Sequence, residues 1–402
     1  MTELLREHPQ PTDLGRGQHI GTSHLHDIHR LVEARSEPTV ALHVGEPHIR
    51  MPQVAADAYV GAIRDGHTSY TDAPGILALR EILAERHSLG HSPEFVFITP
   101  GSCQGIAAVI QSVARNGGSV LLPDIHWPIH LHQTLAAGLE PRFYRLDGID
   151  GDLVTALEQA WDESVRIVLI NSPSNPSGRI LDHTTLQQVH AWAYRRQLPI
   201  ISDEAYEDFV YDGVHESISL FDTALAPAER LVYTIRTFSK GYSMTGCRLG
   251  YVVAPDHVRA EMLRRIQEAT LVAPSTPVQY AGLAALTDAE HLHRHRSHVK
   301  QLRDAVCDKL SQAGLLWERP AGGWYVMADL HIVTSDSQRW IPELLNNRGV
   351  SIAPGSGFFP PNDSRGQSLA RITLCGERTE TLEGIERLVD FAKDSAPTAL
   401  SH

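Results

Sequence analysis

Lys240 stands in the run RTFSKGYSMTGCRLGYVV (236–253), where Thr237, Ser239, Lys240 and Arg248 fall within twelve residues between two apolar stretches. An amine beside two hydroxyls, followed eight residues later by a guanidinium, can hold a phosphate and leave the amine free for covalent work. Upstream, PIISDEAYEDFVYDG (199–213) ends an apolar run in Asp203, Glu204 and Tyr206. A carboxylate in that place either caps the next helix or faces a ligand. The segment NSPSNPSG (171–178) follows the apolar run RIVLI. Its composition makes ordinary loops, and at the carboxyl end of a sheet strand such a loop also turns side chains toward ligands. Arg371 lies in ARITLCG (370–376), a strand-like segment in which a long cation needs a partner.

The elements that must position these groups follow from apolar periodicity. From about residue 52, helical patterns near 52–65, 75–88 and 103–115 alternate with short β-rich runs. Those runs are FVFIT (95–99), SVLLP (119–123), RFYRL (142–146), RIVLI (166–170), PIIS (199–202), LVYTI (231–235) and GYVVA (250–254). Buried strands joined by crossover helices predict an α/β fold with a mostly parallel sheet covered on both faces. Residues 256–313 become almost wholly helical in pattern, and the remainder mixes helices with strands at WYVMAD (324–329) and ARITL (370–374). That shift marks a second, smaller α+β domain. Residues 1–20 lack apolar periodicity and read as an arm that orders only against something else.

Composition narrows the functional classes. The chain has 402 residues, 42% of them hydrophobic and 21% charged, which fits a globular protein with a sizeable core. Thirty-five Lys and Arg against 48 Asp and Glu give a net charge of −13, which opposes nucleic-acid binding over most of the surface. Cys103, Cys247, Cys307 and Cys375 lie far apart with no C-x-x-C pair, so neither a disulfide framework nor a metal knuckle is expected. The polar N-terminus lacks a signal peptide's apolar stretch, and no run approaches the roughly 18 apolar residues of a spanning helix. A cytoplasmic protein with no membrane partner is expected.

Taken in this order and spacing, SKGYSMTGCRLGY, NSPSNPSG, SDEAY, TSYTDAPGILALRE (68–81) and HVGEP (43–47) resemble the aspartate aminotransferase superfamily. These are the fold-type I, class I/II aminotransferases that use pyridoxal 5'-phosphate. The resemblance runs from about Gly45 to the C-terminus. It implies a large cofactor-binding domain over 48–283 with a seven-stranded, mostly parallel sheet. A smaller α+β domain would be built from 21–47 and 284–402. By the same resemblance Lys240 forms the internal aldimine and carries the proton between the substrate Cα and the cofactor. Asp203 pairs with the pyridine nitrogen, which keeps the ring an electron sink. Asn175 and Tyr206 bond the phenolic oxygen, and Trp127, in DIHWPIH (124–130), stacks on the ring. The phosphate falls to the amides of Ser102 and Cys103 in TPGSCQG, the hydroxyls of Thr237 and Ser239, and Arg248. Tyr70 matches a tyrosine that reaches the phosphate of a neighbouring subunit, which implies a homodimer. Arg371 takes the substrate α-carboxylate in a fork, helped by Asn175 and the backbone of Gly45. Trp127 belongs to the same substrate site. The implied reaction moves an amino group between an L-amino acid and a 2-oxo acid by a ping-pong cycle, and no metal is implied.

The same scaffold also hosts β-lyases and oxygen-using enzymes, because the ring stabilises any Cα carbanion. A cofactor-binding regulator would need a winged-helix segment before residue 45, for which the chain has no room, and a nicotinamide enzyme would need a G-x-G-x-x-G after a strand. Cys247 stands where many relatives carry Trp, and Thr237 where Ser is common. The 23 histidines are distinctive. Those in QHIGTSHLHDIHR (18–30), with His43, His48 and His126, are placed near the substrate mouth by the resemblance, either reading a side chain or simply packing. In HLHRHRSH, His291, His295 and His298 share a helix face; two interleaved arginines favour a solvated face over a metal site.

Overall fold

In the computed structural model, which describes residues 17, 20, 21, 24–86, 92–114, 117–149 and 151–395, the chain folds around two larger sheets and a two-stranded one. The strands in chain order are β1 Val40–Ala41, β2 Val96–Thr99, β3 Ser119–Pro123, β4 Glu140–Tyr144, β5 Val165–Asn171, β6 Ile200–Asp203 and β7 Val232–Thr237. They continue with β8 Gly250–Val253, β9 Leu316–Glu318, β10 Tyr325–Asp329, β11 Val350–Ser351, β12 Ala353–Pro354 and β13 Leu369–Thr373. Most of the expected N-terminal arm, with His19, lies outside the described residues.

Seven strands form one sheet in the order β2-β8-β7-β6-β5-β3-β4, parallel throughout except for β8, which runs against both neighbours. β2, β3, β6 and β8 are buried along their whole length, as continuous apolar runs require of strands covered on two faces. Helix Gly101–Val113 packs Ile106, Val109 and Ile110 against one face, and helix His183–Arg195 packs Leu186, Val189 and Trp192 against the other. Several helices start on an aspartate whose carboxylate accepts a backbone N–H of the first turn: Asp152 from Val154, Asp182 from Thr185, Asp256 from Arg259 and Asp288 from His291.

Four antiparallel strands make the second sheet, β12-β13-β10-β9, and β1 pairs in parallel with β11. Helices Ala289–Gln312 and Arg378–Ser395 close a separate core around Trp324, Val326, Ile372, Leu388 and Phe391. The sequence pattern anticipates β10 and β13 but not β1, β9, β11 or β12, which are too short to show a period. The strand expected at 142–146 is shifted to Glu140–Tyr144, because the Asp124 carboxylate takes the Leu146 N–H (2.7 Å) and ends the ladder.

Candidate active site

The carboxyl ends of β5, β6 and β7 lie side by side, with Asn171 opposite Asp203 and Asp203 opposite Ile235. Asn171 closes the first loop: its side-chain amide donates to the Asp203 carbonyl (3.0 Å), and its Oδ1 accepts the Asn175 N–H (2.9 Å). Asp203 is buried, yet its carboxylate is served, with Oδ2 2.9 Å from His130 Nε2 and Oδ1 accepting the Ala205 N–H at 3.2 Å. Trp127 precedes the helix Pro128–Ala136 that carries His130, and the two rings meet edge-on at 5.4 Å. Ser102, Trp127, Asn175, Asp203, Ala205, Tyr206, Lys240 and Tyr325 line one cleft, with about 390 Å³ free of protein atoms.

β7 ends in Thr237, whose hydroxyl accepts the Ser239 N–H (3.1 Å) and donates to the Leu249 carbonyl (3.2 Å), starting the short helix Phe238–Gly241. Lys240 Nζ lies 4.7 Å from the centre of the Trp324 ring and 5.7 Å from that of Tyr206. The Tyr206 hydroxyl donates to Tyr325 (3.3 Å). Burial first, and Tyr325 second, push the Tyr206 phenol well above its ordinary range despite the nearby Arg371. It is therefore a hydrogen-bond donor at neutral pH.

Beside this turn a cradle forms at the start of helix Gly101–Val113. Gly101 has φ +75°, and a Cβ there would sit 2.7 Å from Arg248 Nη2. A Cβ on Gly250 would meet the Ser102 nitrogen at 2.7 Å. Glycine at both positions lets the guanidinium and the first amides of the helix converge, an arrangement suited to a phosphate. Among the described residues Arg248 donates hydrogen bonds to the carbonyls of Thr245 (2.9 Å) and Pro100 (3.4 Å). Cys103 on the next position is held by Gln133, whose amide donates to its carbonyl (2.7 Å), and burial raises its thiol pKa. Ser239 is buried in the lysine turn.

Arg371 arrives from the second sheet. It stands on β13 between Ala353 and Met327, 2% exposed, behind the cleft-lining Asn175 and Tyr325. Its Nη1 donates to Asn175 Oδ1 (3.0 Å) and its Nη2 to the His43 carbonyl (2.9 Å). The guanidinium carbon is 3.9 Å from the centre of the Tyr325 ring and 4.5 Å from that of Phe358. Among the described residues no carboxylate pairs with it, and its Nε has no partner. Gly45 comes so close to the Tyr325 hydroxyl that a Cβ would overlap it at 2.1 Å. Tyr70 lies away from this cleft's own walls, 84% exposed, in a segment tied down by Thr276, whose hydroxyl donates to the Ser69 carbonyl (2.6 Å).

Several participants are absent from the reading of the sequence. Asn171, His130, Trp324 and Tyr325 join the site, and only His130 carries a local hint, three residues after Trp127 in DIHWPIH. The mouth histidines divide. His43 is buried with Nδ1 2.8 Å from Ser351 Oγ, and burial, with His29 and Arg371, lowers its pKa to about 4. His126 is fully buried against Phe143, its pKa lowered to about 3 by burial and His130. Both pack rather than face a ligand, whereas His26, His29 and His48 are exposed. The side chain of His24 lies outside the described residues. The solvated face expected at HLHRHRSH is corrected: His291 and His295 are buried beside the lysine turn, where aromatic neighbours accept neutral imidazoles.

The cleft thus joins an amine, a served carboxylate, an aromatic wall and a phosphate-sized cradle, the donor set that a phosphorylated pyridine aldehyde requires. The family model for class I and II aminotransferases matches residues 37–388. A (5-formylfuran-3-yl)methyl phosphate transaminase of Methanocaldococcus jannaschii is 30% identical over 367 residues, 90% of this chain and 93% of that one. An aspartate aminotransferase of Thermotoga maritima is 29% identical over 371 residues, 89% and 92% of the two chains. The crystal structure of an aspartate aminotransferase from Thermotoga maritima matches with a TM-score of 0.85 at 26% identity, covering 94% of this chain and 99% of the other. A family match over nearly the whole fold, on a site with this chemistry, means that the chain belongs to the class I and II aminotransferases, the pyridoxal phosphate-dependent transaminases.

Proposed function

We propose that this transaminase exchanges an amino group between an L-amino acid and a 2-oxo acid in a ping-pong cycle, with Lys240 as the covalent attachment point and proton carrier. The observation that carries the reading is Arg371, a buried guanidinium with no acidic partner among the described residues, set behind the cleft that holds Lys240. A buried cation without a counter-ion is costly, and an incoming α-carboxylate, gripped through two nitrogens, removes that cost. Pyridoxal phosphate, when bound, supplies the electron sink for the departing Cα proton. Asp203 would hold its pyridine nitrogen, backed by His130. Trp127 would cover the ring, and Asn175 and Tyr206 would donate to its phenolic oxygen. Ser102, Cys103, Thr237, Ser239 and Arg248 would hold the phosphate. Lys240 would carry the proton, its amine resting beside the rings of Tyr206 and Trp324.

The reading takes 48–283 as the cofactor-binding domain and 21–47 with 284–402 as the smaller one, in a cytoplasmic homodimer. The exposure of Tyr70 supports a residue meant for a second copy, as do Val54, Val60, Ile63 and Leu77, exposed on neighbouring helices. The relatives named for aspartate and for a furan-bearing phosphate leave a broad choice of side chain, so the substrate is found by trial. Single amino acids are mixed with the PLP-loaded enzyme and the visible band is followed. Bleaching with release of the matching 2-oxo acid is expected for a subset of amino acids. No bleaching by any L-amino acid would sink the proposal. A monomer in sedimentation that keeps full activity at nanomolar concentration would remove the dimer from it.

A further inference from the structure

Each of the three residues after Lys240 meets an imidazole from helix Ala289–Gln312. Asp288 caps that helix on the His291 N–H (3.0 Å), and the four-residue spacing puts His291 and His295 on one face. His291 stacks on Tyr242, with ring centres 6.3 Å apart and planes within 10°. His295, fully buried, meets His291 edge-on at 6.0 Å. Its Nδ1 lies 3.4 Å from the Gly241 carbonyl oxygen and 3.4 Å from Ser243 Oγ. A carbonyl only accepts, so the proton of this imidazole is assigned to Nδ1 and shared between the two oxygens. The other side of the ring is closed by Phe209, edge-on at 5.0 Å, and by Trp324 at 5.3 Å. Trp324 is the ring on which the Lys240 amine rests.

Two further observations show that the turn needs holding. Ser243 has φ +54°, a left-handed conformation that a residue with a Cβ keeps only where its surroundings impose it. Gly241 is packed so closely that a Cβ would overlap the Asp208 carboxylate and the Leu292 side chain. His295 therefore touches the strained turn on one side and, on the other, the aromatic floor beneath the amine.

We propose that His295, backed by His291, is a positioning residue for Lys240: it holds residues 241–243 in their strained turn and fixes Trp324 under the amine. The amine would then act from a fixed pivot. The inference rests on the reading of Lys240 as proton carrier.

The test uses PLP-loaded enzyme and three variants, His295→Leu, His295→Asn and Ser243→Gly. Turnover, the KM for the best amino acid and the pH midpoint of the visible band are measured for each, with thermal unfolding of the PLP-free forms alongside. His295→Leu should lower turnover about 10- to 100-fold with KM changed less than about twofold, and should move the band's midpoint, since the amine's surroundings shift. His295→Asn, whose amide N–H reaches the place of Nδ1–H, should recover most of that loss. Ser243→Gly, which relaxes the strained φ and removes the hydroxyl, should show the Leu pattern in weaker form. Unchanged turnover and midpoint in His295→Leu overturn the proposal, as do equal losses in Leu and Asn or a rise in KM alone. If His295→Leu does not fold, a shifted midpoint in Ser243→Gly with a near wild-type midpoint in His295→Asn supports it, and an unchanged midpoint in Ser243→Gly overturns it. Borohydride trapping of the wild-type enzyme separates the two readings, because a label on another lysine would defeat the role of Lys240 itself.

Discussion

Arg236 on β7 and Arg371 on β13 are both buried arginines on interior strands of their sheets, and they differ in what faces them. Two nitrogens of Arg236 grip one oxygen of Glu204, at 2.9 and 2.7 Å, and a third pairs with Glu207. Glu204 is itself fully served: burial pushes its pKa up, and Arg236, His215 and Ser217 more than offset that, leaving it well below the ordinary range. Glu204, Glu207 and His215 place their ligand atoms within 4.8 Å of one another, but the guanidinium already supplies the positive charge there. Arg371 is met by an amide oxygen, a carbonyl and two aromatic faces, and by no charge among the described residues. The first arginine is neutralised within the folded chain; the second has no counter-ion among the described residues, which supports its proposed role in holding a carboxylate. Burial alone does not distinguish structural from functional cations, whereas the presence of a counter-ion does.

The largest expected effect lies with the amine rather than either arginine. Lys240→Ala should lower turnover by roughly 10⁴-fold or more, since both the covalent attachment and the proton carrier are lost. It should also leave no borohydride-reducible lysine adduct, although PLP can still bind through its phosphate. A residual adduct, mapped by peptide mass, would break the assignment.

The arginines should then separate by opposite signatures. Arg236→Met strips the buried Glu204 carboxylate of its guanidinium partner, and unfolding in urea should show a loss of about 3–5 kcal/mol. Arg371→Met should leave stability within about 1 kcal/mol of wild type, while kcat/KM falls by roughly 10²-fold or more as two charge-assisted bonds to the carboxylate disappear. Arg371→Lys should raise KM by a similar factor for every amino and 2-oxo acid, because all share the α-carboxylate. A loss that is large for one substrate and absent for another would place Arg371 on the distal group instead.

Asp203→Asn should retain PLP yet slow turnover by about 10²-fold, since an amide cannot hold the pyridine nitrogen protonated as a carboxylate does. Near wild-type turnover would remove that role. A smaller effect concerns acid stability. His43 and His295 are lowered to about 4 and His126 to about 3, chiefly by burial. A group whose folded-state pKa is depressed binds more protons when unfolded, so each contributes stability that is full above about pH 6.5 and falls as pH drops toward the folded value. The urea midpoint should decline steadily from pH 7 to pH 4, and His126→Phe should flatten that slope. The least effect is expected of Tyr70→Phe, which on the proposed dimeric reading would remove one of several phosphate hydrogen bonds and should raise the PLP dissociation constant about tenfold.

The segments that the fold gathers at the carboxyl ends of β5, β6 and β7 were recognisable in the sequence because each has its own local pattern: NSPSNPSG at the end of β5, SDEAY at the end of β6, SKGYSMTGCRLGY after β7. His130, Trp324 and Tyr325 were not legible. His130 lies in an ordinary helix, Tyr325 in an ordinary buried strand and Trp324 just before it, and only partners 73 residues away for His130, 119 residues away for the tyrosine pair and the Lys240 amine over Trp324 give them a role. HLHRHRSH misleads for a related reason. Its arginines argue for solvent, and Arg296 does turn away to the Val210 carbonyl, while the histidines one residue before and five before it point into aromatic packing.

By itself the sequence determined the alternation of strands and helices and the residues that can do the chemistry. Apolar period, turn residues and the lysine segment are short-range properties, written within a turn or a strand. The tertiary structure decided charge and protonation: that Arg236 is neutralised while Arg371 has no counter-ion among the described residues, that His43, His126 and His295 are held neutral, and that Ser243 is strained beside an imidazole. Those properties depend on which distant group lies within a few ångströms and on how much water remains between them, and the same side chain has a different energy in each such setting.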